Sequence, residues 1–224
     1  MIDRKVSFYI GSSWKDCYSD YHLTLLRKTI EAPEVKTATV DIPLTDGQVD
    51  LLASLSSVPR YNNRMITMEF ELIRDRWNWV SDYQAIMAAL HGQALNIRFS
   101  DDTSYYWTGR ISVGALEDHG TTAGLVITMD AKPFKRTITK TTAIAQRTVS
   151  SSYSTTVTIS SERAYPIFTV SGAMTVSDGT DTYSLSSTRS TAYGLELKKG
   201  SNSLSFTAVG GSKTLKMEYE GGML

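Results

Sequence analysis

Cysteine occurs once in the 224 residues, at Cys17, so the chain can form no internal disulfide and carries no C-x-x-C metal or redox motif. No stretch of about eighteen apolar residues occurs, which excludes a membrane-spanning helix. The opening segment MIDRKVSFYIGSSW lacks the apolar run of a signal peptide. The expectation is a soluble protein, made and folded in a cytoplasm, with no membrane partner. Neither charge sign is in excess, because Lys plus Arg and Asp plus Glu both total 23. A neutral chain is poorly suited to holding nucleic acid by phosphate neutralisation, so no sequence-specific nucleic-acid binding is expected.

Histidine is scarce as well, with His22, His91 and His119 the only three. A nucleophilic site needs a base beside its nucleophile. No G-x-S-x-G elbow, H-E-x-x-H pair or phosphate-binding loop is present. Asp101-Asp102 is a tight carboxylate pair. Adjacent strand residues point to opposite faces, so this pair reads as the opening of a turn. The chain is therefore expected to have no catalytic residues, no metal ligands and no cofactor, and not to be an enzyme.

The chain does have apolar content of 41%, enough for packed cores. Its composition changes near residue 136. All four tryptophans (Trp14, Trp77, Trp79, Trp107) and all three histidines precede that point, and Ser and Thr supply 32 of the 88 residues after it. Two domains are expected, 1–136 and 137–224.

The first reads as mainly strands. In RMITMEFELI (Arg64 to Ile73), Ile66, Met68, Phe70 and Leu72 alternate with polar positions and should face a core. KVSFYI, LNIRFS, YYWTGRISV and GLVITMDA are further strands. One helix is signalled in WNWVSDYQAIMAALHGQ. Ser81 and Gln84 form a capping box, Tyr83, Ile86, Met87 and Leu90 make the apolar stripe, and Gly92 follows the end. His91 in the last turn would meet the helix dipole favourably if charged. Of Trp77 and Trp79, one should be core and the other should cover a helix–sheet joint. The second domain reads as short strands every eight to twelve residues, with turns at SDGTD, KKGSN and VGGSK, the pattern of an antiparallel β-sandwich.

One stretch resists local explanation. In ATVDIPLTDGQVDLLASL a strand ends at Pro43, and Asp46-Gly47 makes a turn. The following QVDLLASLSS reads as a poor strand and a poor helix, so no returning hairpin strand is expected.

The order of these features resembles the distal tail proteins (Dit) of siphophages. The similarity rests on PEVKTATVDIPLTDGQVDL with its I-P-x-x-D-G turn, YNNRMITMEF, ALHGQ, DDTSYYWTGRISV, AKPFKR, and the closing GSNSLSF and KTLKMEYEGGML. The motifs run in order across nearly the whole chain. One departure is Leu44, where the family often has glycine. The resemblance implies an N-terminal β-barrel or sandwich-like domain with one α-helix that assembles as a homo-hexameric ring, alone or as two rings back to back. It also implies a C-terminal galectin-like β-sandwich at the ring's periphery. Such a ring is a structural hub at the virion tail tip. It joins the tail tube protein to the tail-associated tip protein, and receptor-binding protein attaches to its outer domains. Leu44, Val49, Leu51, Leu52 and Leu55 would then lie at an inter-subunit contact. The sandwich also leaves open a carbohydrate-binding adhesion module. A galectin-type sugar site needs His and Trp, which the second region lacks, so such a module would have to use Tyr153, Tyr165, Tyr183 and Tyr193.

Overall fold

A computed structural model describes residues 5–41, 46–51, 59–188 and 191–224. The protein is mainly β, with antiparallel pairing throughout the described strands and one α-helix. It divides into two compact units, Met1–Pro133 and Phe134–Leu224.

The first unit contains β1 (Val6–Ile10), β2 (Ser13–Asp16), β3 (Leu23–Ile30), β4 (Thr39–Asp41), β5 (Gln48–Asp50), β6 (Arg64–Leu72), α1 (Trp79–Leu90), β7 (Ala94–Phe99), β8 (Tyr105–Asp118) and β9 (Ala123–Ala131). Seven strands lie in the order β3-β6-β9-β8-β7-β1-β2. Alternation decides which face is buried. Ile66, Met68, Phe70 and Leu72 of β6 all point into one core, where they meet Leu125, Ile127 and Met129 of β9. Arg64 shares that inward phase and is buried, a charge where the alternation calls for an apolar residue.

Helix α1 starts earlier than Ser81. Trp79 is its first residue, a single 3-10 turn at Arg76–Asn78 precedes it, and Asn78 is the N-cap without a side-chain bond. Ser81 lies inside the helix and donates to the Asn78 carbonyl at 2.8 Å. The physical cause is Trp79. Its ring is buried and its Nε1–H donates to the Arg74 carbonyl at 2.8 Å, which ties the chain into the helix two residues ahead of the expected cap. The rest of the stripe packs as expected: Ile86 and Leu90 are buried, and Tyr83 and Met87 are half-buried against the same core. Gly92 follows the end of the helix with φ +74°.

The second unit contains β10 (Lys135–Thr137), β11 (Thr141–Val149), β12 (Ser152–Val170), β13 (Met174–Ser177), β14 (Thr182–Leu185), β15 (Leu197–Ala208) and β16 (Lys213–Met223). Their order is β14-β13-β15-β12-β16, with β10 and β11 both on the other side of β16. Phe168, Phe206, Leu215 and Met217 centre its own core.

Two of the expected short strands are longer. Residues 152–170 form one strand, bent by a bulge between Ile159 and Arg163. Pro166 is tolerated because β12 has lost β15 by then and pairs with β16 alone. The KKGSN segment is no turn. Gly200 sits at φ +96° inside β15, and the Asn202 amide accepts from Lys198 N–H at 2.9 Å and donates to the Lys198 carbonyl at 2.7 Å. Those bonds satisfy the kinked backbone, so the strand runs on through it.

Candidate functional site

Of the unexplained stretch, residues 38–41 and 46–51 are described, and they belong to an arm apart from the main sheet. Between β3 and β6 the chain leaves the sheet, and its stem is zipped by the Val35–Tyr61 bridge. Lys36 N–H donates to Arg60 C=O at 2.8 Å, and Asn62 N–H to Glu34 C=O at 2.8 Å. A returning strand does exist: β4 and β5 pair antiparallel through Thr39–Asp50, Val40–Val49 and Asp41–Gln48. The sequence reading missed it because three residues are too few to show alternation. Gly47 makes its turn at φ +77°.

This hairpin is a separate two-stranded sheet, and none of its residues belongs to either core. Val35, Val40, Val49 and Leu51 are 55%, 45%, 39% and 44% exposed. A two-stranded hairpin with no buried face is marginal alone in water. Of the residues singled out for an inter-subunit contact, Val49 and Leu51 therefore lie together on the exposed arm. Leu44, Leu52 and Leu55 lie outside the described residues. Beside the arm, β3 is an edge of its sheet, pairing with β6 alone among the described residues, and Leu26 and Ile30 on it are exposed.

The three histidines are dispersed in structural positions. His22 is the one non-glycine with positive φ among the described residues, at 57°. His91 sits at the helix end as expected, where its Nδ1 accepts the Val113 N–H at 3.1 Å. This bond ties the helix end to β8. His119 sits over Gly124, where an added Cβ would meet its ring at 2.5 Å. Asp101 forms an ion pair with Lys28 at 2.5 Å, and Lys28 also lies over the Phe99 ring. Among the described residues, no group of three or more His, Cys, Asp or Glu is placed to hold a metal ion. No helix of the described residues is long and apolar enough to cross a membrane.

Trp79 is core, but Trp77 covers no joint, being 96% exposed beside exposed Val80. The 3-10 turn rotates Trp77 away from the sheet while directing Trp79 inward.

In the second unit the four tyrosines do not converge on one platform. Tyr153 and Tyr165 lie twelve residues apart on β12. Tyr153 stacks on Phe206 and carries the Arg147 guanidinium at 3.6 Å. Tyr165 lies under Arg136 at 3.9 Å, and burial raises its phenol pKa. Tyr193 is exposed. A polar cleft of about 250 Å³ is lined by Asp178, Thr180, Glu196, Lys198 and Asn202. Its groups serve the fold: Asp178 accepts from Thr180 and Asp181 N–H, and Glu196 pairs with buried Arg163 at 2.8 Å.

Neither a protein-family model nor a curated protein matches the sequence. The fold has a counterpart among solved structures. The crystal structure of the SPP1 Dit (gp 19.1) protein, described as a paradigm of the hub adsorption apparatus in phages infecting Gram-positive bacteria, aligns with a TM-score of 0.62 at 15% identity. The alignment covers 99% of this chain and 99% of that one. Both units and their order are thus shared with a phage hub protein at the level of fold.

Proposed function

We propose that this chain is a distal tail protein, the subunit of a hub at the tip of a siphophage tail. The observation that carries the reading is the joint occurrence of a full-length fold likeness to a Dit protein and an exposed arm with no intrachain reason to exist. In this reading the N-terminal unit, 1–136 in the sequence division, closes a six-membered ring. The C-terminal unit is a galectin-like sandwich at its periphery. The hub joins the tail tube protein to the tail-associated tip protein and offers its outer units to a receptor-binding protein. Its role is structural, without catalysis, at the virion tail tip, after synthesis in the host cytoplasm.

A closed ring uses one heterologous contact repeated by rotation, so each subunit needs two different patches. The arm with Val49 and Leu51 is one, and the β3 edge is a candidate for the other. Leu44, Leu52 and Leu55 belong to the same contact in this reading.

Light scattering coupled to size exclusion tests it, with negative-stain images of the same fractions. A six-fold ring, single or back to back, is the expected result, and a concentration-independent monomer refutes it. Replacing Val49 and Leu51 together with Asp should abolish assembly while the thermal transition persists, because unpaired charges buried at a contact cost several kcal/mol, about 2–5.

A further inference from the structure

Apolar side chains stand in water on the short connection from β6 into α1. Trp77 is almost fully exposed, and Ile73 and Val80 are each more than half exposed. Isolated apolar residues on a surface are ordinary. A nearly bare tryptophan is not, since such a side chain usually buries about 150–250 Å². Trp77 and Val80 are three apart across the 3-10 turn and the first helical turn, the spacing that places side chains on one face.

The backbone that carries them is pinned. Asn78 N–H donates to the Asp75 carbonyl at 2.9 Å. Arg74 pairs with Asp82 of α1 at 3.0 Å, and Arg76 pairs with Asp118 of β8. The Trp79 indole N–H holds the Arg74 carbonyl while its ring anchors in the core. Trp77 therefore stands on a fixed frame yet serves no core of its own unit. An apolar side chain held ready in this way lowers the ordering cost of a contact.

The patch and the arm lie at opposite ends of one strand. The arm returns to the sheet at Arg64, and Ile73 follows Leu72 at the far end. The nine residues of β6, at about 3.4 Å each, set those ends about 27 Å apart. The Arg76–Asp118 pair keeps the patch at the far end, because Asp118 lies opposite Ala123, and Ala123 opposite Leu72. The arm has an apolar face to match. Val40 lies directly opposite Val49, and Leu51, whose N–H donates to the Ala38 carbonyl at 2.8 Å, continues that face two residues on. Both surfaces stay exposed, so the arm does not cover the patch of its own unit. A ring needs two different patches turned toward different neighbours, and surfaces a strand's length apart meet that need.

We propose that the arm of one copy docks on the Ile73, Trp77 and Val80 patch of the next, with Trp77 packed against the face formed by Val40, Val49 and Leu51. The proposal rests on the ring reading, and the β3 edge is the competing candidate for the receiving surface. Arm and patch both belong to the first unit, the one assigned to the ring. Trp77 is the anchor of the contact, because large aromatic residues at the centre of an interface carry most of its binding energy. The arm in turn gains the buried face that its two strands lack alone.

The test places cysteines on the two surfaces of the full chain. Val49→Cys combined with Val80→Cys, treated with a short bis-maleimide near pH 7, should give a covalent ladder of up to six chains. Neither single variant should link, because each carries half of a head-to-tail contact. Cys17 is buried with its thiol pushed up to about 11, so the unaltered chain serves as the blank. Val49→Cys combined with Leu26→Cys asks the same of the β3 edge and should not link. In light scattering across a dilution series, Trp77→Ala should weaken assembly by roughly thirtyfold, the scale of an interface hot spot, with the thermal transition unchanged. A ladder from the Leu26 pair, linking by Val80→Cys alone, or assembly untouched by Trp77→Ala overturns this inference and leaves the ring reading standing. So does a ring in which the Val49 and Val80 pair stays unlinked. A concentration-independent monomer overturns both.

Discussion

Removing the Arg64 side chain tests whether a buried cation in the first unit holds that unit together. Its Nη2–H donates to the Pro133 carbonyl at 2.7 Å, and its guanidinium carbon lies 4.8 Å from the Trp107 ring centre. Its Nε has no partner among the described residues, and burial lowers the guanidinium pKa from its ordinary value. A hydrogen bond from a charged donor contributes about 1.5–3 kcal/mol, and a partly desolvated cation–π contact about 0.5–2 kcal/mol. Against these stands the cost of burying a guanidinium with one nitrogen unsatisfied, about 1–3 kcal/mol. Arg64→Ala loses both contacts, leaves the Pro133 carbonyl unpaired and opens a cavity, so a loss of about 3 kcal/mol is expected. Arg64→Met keeps the apolar stem and removes the desolvation cost, so it should lose only about 1 kcal/mol. All four tryptophans lie in residues 1–133, so tryptophan fluorescence during denaturant unfolding reports this unit alone. An Ala variant within about 0.5 kcal/mol of the unaltered protein refutes the reasoning, as does a Met variant worse than Ala.

Gly109 should tolerate no side chain. A Cβ there would lie 2.3 Å from the Asp130 carbonyl oxygen and 2.7 Å from the Ala131 Cα, both backbone, so Gly109→Ala must force β8 from β9 and should cost about 3 kcal/mol or more. Gly124→Ala meets only the half-exposed His119 ring, which can swing aside, so thermal denaturation should show a much smaller loss. Burial pushes the Cys17 thiol up to about 11, so alkylation near pH 8 should be slow in the folded protein and fast in denaturant. A folded pKa above the unfolded one means its contribution to stability is complete below about pH 8.5 and is lost as pH rises toward 11. A Cys17 labelled as fast folded as unfolded would contradict the burial.

Where the chain's own core sets the pattern, the sequence was readable. Alternation in β6 named Ile66, Met68, Phe70 and Leu72, and all four are buried. The helical stripe named Ile86 and Leu90, and both are buried. The readings that failed did so at places where one residue's environment overrides the local rule. Ser81 has the right chemistry for a cap, but Trp79, anchored through its indole N–H, starts the helix sooner. Gly200 and Asn202 have turn chemistry, but the Asn202 side chain bonds the kinked backbone and β15 continues.

The arm is illegible for a different reason. Periodicity encodes which face a segment buries against its own chain, and the hairpin of β4 and β5 buries neither face. Its first strand was readable from Val40 set between Thr39 and Asp41, but the returning β5 is three residues long and leaves too little period to detect. What remains legible is its charge, since a sum over a segment needs no period. The five acids between Glu31 and Asp50 carry the whole acidic excess of the first unit. A segment that keeps apolar residues exposed and concentrates one charge sign conflicts with folding in isolation on both counts. Local rules are broken at sites that serve something outside the local structure. The arm breaks two of them together, and a contact with another copy, apolar at its centre and cationic around it, would satisfy both.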